Sequence, residues 1–505
     1  MPTLHWLTRD DDLKAAGKAE YRLLTEDEKY SYGDTDNDNI IIQGDNLEAL
    51  KALLPFYAGQ VKCVYIDPPY NTGAAFEHYD DNMEHTMWLS MMYPRLELLR
   101  ELLAEDGAFF IQLDDREIHY AKVIVDEIFG RSNFISGITW HKKRGKDNSS
   151  RYFSITHDNI LCYAKNSPMF YVNRIELDDG TKKAYKNPDN DPRGQYRLLG
   201  LWSRQQGGSE YEFMMKNRKF FAKRLWLVNL DTMKRLEEEN RIVVRGDKLY
   251  RKLFLTENQG SIPETIWTGL SNNANAKDEL KKLFGKDDLF DTPKPEHLIS
   301  RIIEISTQPD DLILDSFLGS GTTAAVAHKM GRRYIGIEMG KQAKTHCVKR
   351  LKKVIDGEQG GISKSINWQG GGGFRFYTLG DPIFNEDGQI RDTIKFDQLA
   401  AHIWFYETKT PFGKSKAKSK TTRSPFLGVY NNTAYALLYN GILHDNSING
   451  GNILTSKTLA VIYKNIGKVK YDKLVIYGEA SRLGSVRIKE AGIVFKQIPY
   501  DVRTR

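Results

Sequence analysis

Apolar and polar segments alternate along this chain in a way that predicts strands and helices in turn. Residues 39–43 form a short, mostly apolar run, and residues 47–56 carry leucines at helical spacing. A second apolar, β-branched run follows at residues 61–66. A strand, a helix and a strand in this order make a β-α-β unit, which implies parallel strands joined by a right-handed crossover. The pattern therefore predicts an α/β fold.

The alternation breaks down in the middle of the chain and then returns. Polar, aromatic and basic residues mix from about residue 166 to about residue 260, and the α/β pattern resumes from residue 262. We expect one doubly wound, mostly parallel sheet in two halves, with a domain inserted between them. The predicted divisions are a lead-in at 1–38, core halves at 39–166 and 261–356, an insert at 167–260, a glycine-rich linker at 357–382 and a small α/β domain at 383–505.

Composition excludes several classes of protein. The 505 residues are many for one core, so two or three domains are expected. Nothing resembles a signal peptide and no apolar run approaches the ~20 residues of a membrane span, so we expect a cytoplasmic protein without membrane association. Cys63, Cys162 and Cys347 lack metal-ligand spacing, which predicts reduced core residues and no metal site. A net charge of +7 permits nucleic-acid binding without requiring it.

The most informative stretch lies at the end of the apolar run at 61–66. Pro68 and Pro69 follow Asp67 and force a stiff turn, because proline fixes φ and has no amide hydrogen. Open α/β sheets place their ligands at the carboxyl ends of strands. The Asp67 carboxylate and the Pro68 carbonyl suit the two N–H bonds of an exocyclic amine, and the ring of Tyr70 suits stacking on a base. An ordinary Pro-Pro turn is the alternative.

A glycine-rich turn between a strand and a helix forms a second candidate site. It starts after Asp315, carries Gly319 and Gly321, and is followed by a strand that ends at Glu338. Such a turn lets backbone amides approach a ligand, and an acid on the next strand can hold ribose hydroxyls. A phosphate-binding P-loop fits poorly, because Thr322 stands where its lysine belongs. A nicotinamide dinucleotide and S-adenosylmethionine, with Asp315 on its ammonium, remain open.

Several further residues are candidates with an alternative interpretation. Asp45 follows the first strand and is either a cofactor contact or a helix N-cap. Two basic segments are either nucleic-acid contacts or solvated surface. Their candidate residues are Lys142, Lys143, Arg144, Lys146 and Arg151 in the first, and Lys216, Arg218 and Lys219, interleaved with aromatic residues, in the second.

The two motifs decide between the cofactors when they are taken together. A dehydrogenase has no use for a second, amine-binding cluster at Asp67–Tyr70, whereas an amino-methyltransferase requires one. The chain at this point resembles the DNA amino-methyltransferases whose catalytic tetrapeptide precedes the cofactor motif, the β arrangement. It is more similar still to the Mod subunits of type III restriction–modification systems. Stretches that carry this likeness are 66–73, 88–89, 126–131, 157–158, 163–166 and 495–500.

The resemblance implies a class I methyltransferase-like fold with circularly permuted motif order. Asp67, Pro68, Pro69 and Tyr70 would be catalytic, and residues 167–260 the target-recognition region. Leu318 departs slightly from the small residue usual at its position. The predicted cofactor residues are Asp45, Asp67, Thr292, Lys294, Pro295, Asp315, Phe317, Leu318, Gly319, Ser320, Gly321, Thr322 and Glu338.

The expected activity is methyl transfer from S-adenosylmethionine to the N6 amine of adenine in duplex DNA. Expected partners are double-stranded DNA, a restriction subunit with helicase and nuclease parts, and a second copy in a homodimer. The adenine would have to be flipped out of the duplex to reach the cofactor. The alternatives are methylation of the N4 amine of cytosine or of RNA, a DNA-recognition subunit without activity, and, last, a dehydrogenase.

Overall fold

The structure is a computed structural model. It describes residues 2–34, 38–71, 84–146, 150–203, 207–221, 225–285, 290, 292–412, 424–439 and 451–498. The sequence also predicts a loop over residues 71–82, of which only Asn71 is described. It further contains a lysine-rich, low-complexity segment at 414–420, which lies wholly outside the described ranges. Parts of four other stretches lie outside them too, namely 35–39, 141–152, 216–224 and 495–500. The described chain divides into two compact units, one of residues 1–171 with 264–505 and one of residues 172–263.

The strands of the described chain are numbered in order. In the first unit they are β1 (Arg22–Glu26), β2 (Tyr32–Gly33), β3 (Ile40–Gln43), β4 (Val61–Ile66), β5 (Leu103–Leu113), β6 (Phe134–His141) and β7 (His157–Ala164). The second unit holds β8 (Tyr196–Gly200), β9 (Phe213–Met215), β10 (Arg218–Phe220), β11 (Ile242–Arg245) and β12 (Lys248–Phe254). The first unit resumes with β13 (Ile266–Trp267), β14 (Leu312–Asp315), β15 (Arg333–Glu338), β16 (Gly373–Pro382), β17 (Phe426–Tyr430), β18 (Thr433–Leu437), β19 (Ile453–Leu454), β20 (Lys473–Gly478), β21 (Ala480–Ser481) and β22 (Ile493–Gln497).

The helices are numbered in the same way. They are α1 (Arg9–Asp12), α2 (Ala15–Lys18), α3 (Asn46–Tyr57), α4 (His85–Leu102), α5 (Ile118–Phe129), α6 (Asp179–Lys182), α7 (Leu230–Glu238), α8 (Asn273–Phe284), α9 (Glu296–Ser306), α10 (Thr322–Lys329), α11 (Lys349–Ile355), α12 (Phe396–Thr408), α13 (Ser456–Ile466) and α14 (Ser485–Glu490). A π-helix, Ala343–Val348, leads into α11. Short 3-10 turns lie at Arg131–Asn133, Ser167–Met169 and Leu255–Glu257.

One large sheet organises the first unit. Its strands run in the order β1-β16-β3-β15-β14-β4-β5-β7-β6-β13, and β2 pairs with β16 off this path. The six strands from β16 to β5 are parallel to their neighbours, whereas β1 and β7 run antiparallel to theirs. Strands β3, β4, β14 and β15 are largely buried, because helices cover both faces of a parallel sheet. The predicted α/β fold with a mostly parallel, doubly wound sheet is confirmed.

The order of the strands reverses between β4 and β14. Strand β4 leads through α4 to β5 on one side, and β14 leads through α10 to β15 on the other. Leu314 pairs with Val64, so Asp315 and Asp67 follow the ends of two neighbouring parallel strands. Ligands of open α/β sheets bind at such a switch point, in the crevice beyond the strand ends. The sheet therefore brings together two segments that lie far apart in sequence.

One of the predicted divisions needs correction. The segment 357–382 is not a linker throughout, because Gly373–Pro382 forms strand β16, parallel to β3 and antiparallel to β1. The lead-in at 1–38 supplies strands β1 and β2, which both pair with β16. Phe374 and Phe376 of β16 are fully buried, which explains why a glycine-rich neighbourhood still yields a strand.

The C-terminal region forms a smaller α/β layer of the first unit. Strands β17, β18, β20 and β22 make one sheet, in which β18, β20 and β22 are parallel. Buried residues of α12, including Leu399 and Trp404, pack with Tyr477 of β20 in one apolar cluster. The amide of Phe412 donates to the carbonyl of Pro55 in α3, at 2.7 Å.

The unit of residues 172–263 has an apolar cluster of its own. This unit contains the three-stranded sheet β11-β12-β8 and the hairpin β9-β10. Phe213, Trp226 and Met233 are among its buried core residues. The predicted insert, 167–260, spans nearly the same residues, and its role in target recognition stays a prediction.

Three features of the described residues concern membranes, metal ions and cysteines. No helix among these residues is long and apolar enough to cross a membrane. No group of three or more histidine, cysteine, aspartate or glutamate side chains among them is arranged to hold a metal ion. Cys63, Cys162 and Cys347 are free and buried.

Candidate active site

The end of β4 carries a tightly held carboxylate. The Tyr70 hydroxyl donates to Asp67 Oδ1 at 2.8 Å, and the Lys294 ammonium forms an ion pair with Asp67 Oδ2. Burial raises the pKa of Asp67, while the positive charge of Lys294 and the two hydrogen bonds lower it. Lys294 therefore opposes the effect of burial and favours the ionised form of Asp67.

The turn after Asp67 is fixed from both sides. Trp88 of α4 is fully buried and donates from Nε1 to the carbonyl of Pro69 at 2.8 Å. Asn71 has a φ of 58°, a left-handed conformation that asparagine tolerates better than most residues. Its side-chain Nδ2 donates to Glu117 Oε1 at 2.9 Å, and His85 Nδ1 lies 3.0 Å from the same oxygen. The tetrapeptide is therefore held in one conformation.

A second buried carboxylate lies beside Tyr70. Asp158, at the start of β7, is 1% exposed and accepts from Lys142 Nζ at 2.6 Å and from Gln112 Nε2 at 2.9 Å. Its Oδ2 also lies 3.3 Å from the Tyr70 hydroxyl. Tyr65 donates in turn to Gln112 Oε1 at 2.8 Å. The position of Asp158 is thus set by groups on β4, β5 and the residue after β6.

The glycine-rich turn after β14 holds two further acids. Asp315 Oδ1 accepts from the amide of Phe317 at 2.9 Å, and Oδ2 accepts from the Thr323 hydroxyl at 2.6 Å. Burial raises the pKa of Asp315 to about 7. Glu338 Oε2 accepts from the amide of Gly319 at 2.7 Å, and burial raises the pKa of Glu338 as well. Both carboxylates are therefore anchored to the turn that they flank.

Two glycines of this region are required by its geometry. Gly321 has a φ of 81°, and a Cβ atom there would lie 3.1 Å from Cα of Cys347. A Cβ atom on Gly336 would lie 2.5 Å from Cδ2 of Leu318. Leu318, the departure from the expected small residue, therefore occupies the space left free by Gly336 and is only 4% exposed.

Asp45 takes one of its two predicted roles, and the other, a cofactor contact, stays a prediction. It is the N-cap of α3, since Oδ1 accepts from the amide of Leu47 at 2.8 Å. Its Oδ2 accepts from Arg95 Nη2 at 2.8 Å, and the residue also faces the cavity described below. The neighbouring Asn46 donates to the carbonyl of Ser316 at 2.8 Å, which ties α3 to the glycine-rich turn.

The segment before α9 joins the two motifs. The carbonyl of Lys294 accepts from the Thr322 hydroxyl at 3.2 Å, while its ammonium reaches Asp67. Two residues after Lys294, Glu296 is buried and accepts from Lys329 at 2.8 Å and from Arg350 at 2.9 Å. Arg350 also donates to Thr322 Oγ1 at 2.7 Å. A buried ion network thus fixes Lys294 relative to the glycine-rich turn.

One cavity of about 440 Å³ joins these groups. Most of the predicted site residues line it. They are Asp45, Asp67, Pro68, Pro69, Tyr70, Thr292, Lys294, Asp315, Phe317, Leu318, Gly319, Ser320, Thr322 and Glu338. Two predicted residues, Pro295 at the N-cap of α9 and Gly321 at the N-cap of α10, do not line it. The roles of these residues stay predictions.

The predicted nucleic-acid residues fall in two places. Lys142 lines the cavity, whereas Lys143, Arg144, Lys146 and Arg151 are exposed on the hairpin between β6 and β7. This hairpin leaves the same edge of the sheet as β4 and β14, because β6 is antiparallel to β7, which is antiparallel to β5. Tyr152 and Phe153 on it are 81% and 90% exposed. Lys216, Arg218 and Lys219 are exposed at the β9-β10 hairpin of the second unit.

Some cavity residues were not predicted from the sequence. They are Asn46, Tyr65, Met91, Arg95, Asp114, Asp158, Asn273, Phe290, Pro293, Ser316, Thr323, Met339 and Gln342. The stretch 157–158 carried a signal, because it belongs to the likeness with Mod subunits, but it gave no role to Asp158. Tyr65 alternates with core residues of β4, so nothing in the pattern separates it from them.

Comparison with known proteins identifies the family. The chain belongs to the N6_N4_Mtase family of DNA methylases, which it matches over residues 61–349.

Its relatives include modification subunits. It is 34% identical over 447 residues to the "Probable type III restriction-modification enzyme HindVI Mod subunit" of Haemophilus influenzae, covering 74% of this chain and 59% of that protein. It is 31% identical over 358 residues to the StyLTI Mod subunit of Salmonella typhimurium, covering 64% and 55%. The chain thus spans less than two thirds of these relatives. The solved structure of the M1.HpyAVI–SAM complex is 17% identical to this chain, with 62% of this chain and 99% of that chain covered and a TM-score of 0.31.

Proposed function

We propose that this chain is an S-adenosylmethionine-dependent methyltransferase that modifies the N6 amine of adenine in duplex DNA. The observation that carries the proposal is the single cavity, which combines the Asp67–Tyr70 turn with the Asp315 and Glu338 carboxylates of the glycine-rich turn. A base-binding cluster and a nucleoside-binding turn in one cavity suit transfer between a cofactor and a base.

The residues of the glycine-rich turn fit the cofactor. The buried Asp315 carboxylate suits the ammonium of its methionine part, because a positive partner would compensate the burial that raises the pKa of Asp315. The Ser316 hydroxyl is buried at the cavity and has no hydrogen-bond partner among the described residues, so a polar ligand atom would satisfy it. Glu338 is positioned for ribose hydroxyls. When bound, S-adenosylmethionine supplies a methyl group on a sulfonium.

The turn after β4 would orient the target amine. Adenine's exocyclic amine is a poor nucleophile because its lone pair is conjugated into the ring. Asp67 and the Pro68 carbonyl would accept its two N–H bonds and hold the nitrogen in a reactive orientation, and such positioning can contribute roughly 7–11 kcal/mol. Base flipping costs a few kcal/mol, and stacking on the ring of Tyr70 would offset about 1–3 kcal/mol of it.

The partners and the location are part of the same proposal. The names of the relatives support a modification subunit that works with a restriction subunit, and we propose the same for this chain, as a homodimer on double-stranded DNA. The exposed basic residues of the β6-β7 hairpin, such as Lys143 and Arg144, would contact phosphates. The unit of residues 172–263, with Lys216, Arg218 and Lys219, would read the target sequence. A DNA substrate implies a cytoplasmic protein.

The test is methyl transfer to DNA by wild-type protein and two aspartate variants. Tritiated S-adenosylmethionine and bulk DNA are incubated with each protein, and the DNA is collected on filters. We expect Asp67→Asn to lose transfer while it still binds the cofactor. Asp126→Asn is the matched control, because Asp126 is also buried and paired but does not line the cavity. Equal transfer by the Asp67 variant and wild type would contradict the assigned role of Asp67.

Mass spectrometry of digested DNA identifies the modified base. N6-methyladenine is the expected product, and N4-methylcytosine would show that the base assignment is wrong while the class of reaction stands. Failure of the wild-type protein to label any DNA would contradict the proposed function itself.

A further inference from the structure

Five side chains that line the cavity form one row of polar contacts, with a neutral tyrosine at its centre, a carboxylate on each side and a lysine at each end. In spatial order they are Lys142, Asp158, Tyr70, Asp67 and Lys294. Each lysine is paired with one carboxylate, at 2.6 Å for Lys142 and Asp158. The Tyr70 hydroxyl lies between the two carboxylates, 2.8 Å from Asp67 Oδ1 and 3.3 Å from Asp158 Oδ2. Both carboxylates are therefore within hydrogen-bond reach of one hydroxyl group.

A phenol has one hydrogen to donate, so the two carboxylates compete for it. The shorter distance favours Asp67 in this structure. Both oxygens of Asp67 then have donors of the chain itself, Tyr70 on Oδ1 and Lys294 on Oδ2. An incoming amine would have to share these positions, and a hydrogen bond from Tyr70 would weaken the acceptor that the amine needs.

We propose that the Tyr70 hydroxyl switches between the two carboxylates, and that Asp158 is the positioning residue that accepts it when the target amine binds Asp67. This inference rests on the proposed function, because it requires an amine as ligand of Asp67. The switch needs only rotation about the C–O bond and a small approach to Asp158, while the ring stays in place for stacking on the base.

The surroundings of Asp158 suit an alternate acceptor. Gln112 and Lys142 fix its carboxylate, and Tyr65 fixes Gln112. The charge of Lys142 compensates the buried charge of Asp158, so the carboxylate stays able to accept. Because Asp158 is only 1% exposed, a water molecule cannot readily replace its carboxylate as the acceptor of the Tyr70 hydrogen bond. If Asp67 alone oriented the amine, a fixed second acceptor 3.3 Å from the Tyr70 hydroxyl would not be needed.

A double-mutant cycle on Tyr70 and Asp158 tests the switch. The four proteins are wild type, Tyr70→Phe, Asp158→Asn and the double variant. Phenylalanine keeps the ring but removes the hydroxyl, so no switch is needed in that background. We expect Asp158→Asn to lower kcat about tenfold or more in the wild-type background, the effect of a hydrogen bond to a charged group, and to have little effect in the Tyr70→Phe background.

A binding measurement without cofactor gives a second readout. The target position is first found by sequencing DNA that the protein has methylated. Two duplexes are then compared, one with adenine at this position and one with unsubstituted purine, which lacks the amine. The preference for adenine measures capture of the amine. We expect Asp158→Asn to reduce this preference about tenfold, and Tyr70→Phe to keep it with or without Asp158. Purine is extruded from the duplex more easily than adenine, but this difference affects all four proteins alike. It therefore cancels when their preferences for adenine are compared.

Controls separate the switch from a structural role. Asp126→Asn removes a buried aspartate that binds Tyr163, Lys122 and Arg131 away from the cavity, and it should leave both readouts unchanged. If Asp158→Asn does not fold, as judged by thermal unfolding, Lys142→Met is added in both backgrounds to remove the ammonium left unpaired.

The outcomes distinguish this inference from the proposed function. Equal losses from Asp158→Asn in both backgrounds would mean that Asp158 only supports the fold or Lys142, and the switch would be refuted. That result leaves the proposed function intact, because the wild-type protein still methylates DNA. A wild-type protein that transfers no methyl group to any DNA contradicts both.

Discussion

The pH dependence of cofactor binding should follow the ionisation of Asp315. Burial raises the pKa of this carboxyl, hydrogen bonds from Thr323 and the amide of Phe317 lower it, and the charges of Asp67 and Glu338 raise it, so that the pKa is about 7. Asp315 is therefore about half ionised near neutral pH in the free protein. A cationic ligand selects the ionised form, so its binding releases a proton from the fraction that is still protonated.

The magnitude follows from the titration of one group. Between pH 7 and pH 5.5 the ionised fraction falls from about one half to about 3% for a pKa of about 7. The α-amino group of the cofactor stays mostly protonated over this range, since such groups have a pKa near 7.7–8.0. Affinity for S-adenosylmethionine should therefore fall on the order of tenfold from pH 7 to pH 5.5. The affinity of the Asp315→Asn variant for S-adenosylmethionine should be weak at both pH values and independent of pH.

Titration calorimetry at both pH values measures this change and the protons released. 5′-Methylthioadenosine is the matched ligand, because it has the nucleoside but not the ammonium, and its affinity should not change with pH. If Asp315→Asn keeps the pH dependence of the wild type, or if methylthioadenosine shows it too, Asp315 does not receive the ammonium. The raised pKa also affects folding. Because the folded state holds its proton more tightly, the contribution of Asp315 to the free energy of unfolding decreases as pH rises from about 4 to about 7.

Three further changes have outcomes that the structure defines. Gly336→Ala should lower the free energy of unfolding by about 1–3 kcal/mol in chemical denaturation, because its Cβ atom would overlap Leu318, and the added substitution Leu318→Ala should restore part of the stability. Glu296→Gln leaves buried cations undercompensated and should destabilise the fold by about 3–5 kcal/mol, seen as a lower Tm; an unchanged Tm would contradict this view of the network. Replacement of Lys143 and Arg144 by alanine should weaken DNA binding without changing cofactor affinity, and should reduce the slope of log K against log salt by about 0.9 for each phosphate that the variant no longer neutralises.

The two site motifs were predictable because local chemistry defines them. Proline stops β4 directly after Asp67, and glycines with positive φ form the turn after β14. Each feature follows from a few adjacent residues. The two motifs meet in one cavity because β4 and β14 pair as parallel strands, which end at the same edge of the sheet.

The interactions that the sequence did not reveal join distant segments. Lys294 and Asp67 are 227 residues apart, and no periodicity relates them. Tyr70 and Asp158 are 88 residues apart, and Asp158 resembles any acid at the start of a strand. Strand β16 was missed for a different reason. The glycines before it suggested a flexible link, whereas burial of Phe374 and Phe376 between β1 and β3 decides its conformation.

The place of β16 in the sheet limits how this protein can be shortened. The family match ends at residue 349, well before Gly373, and begins after β3. A fragment cut to the matched region would lose β3, which pairs with β15, and β16, which pairs with β3. Strand β15 would then present a bare row of amides and carbonyls, a template for intermolecular pairing. Recombinant fragments meant to stay monodisperse should therefore retain the chain from before Arg22 to beyond Pro382.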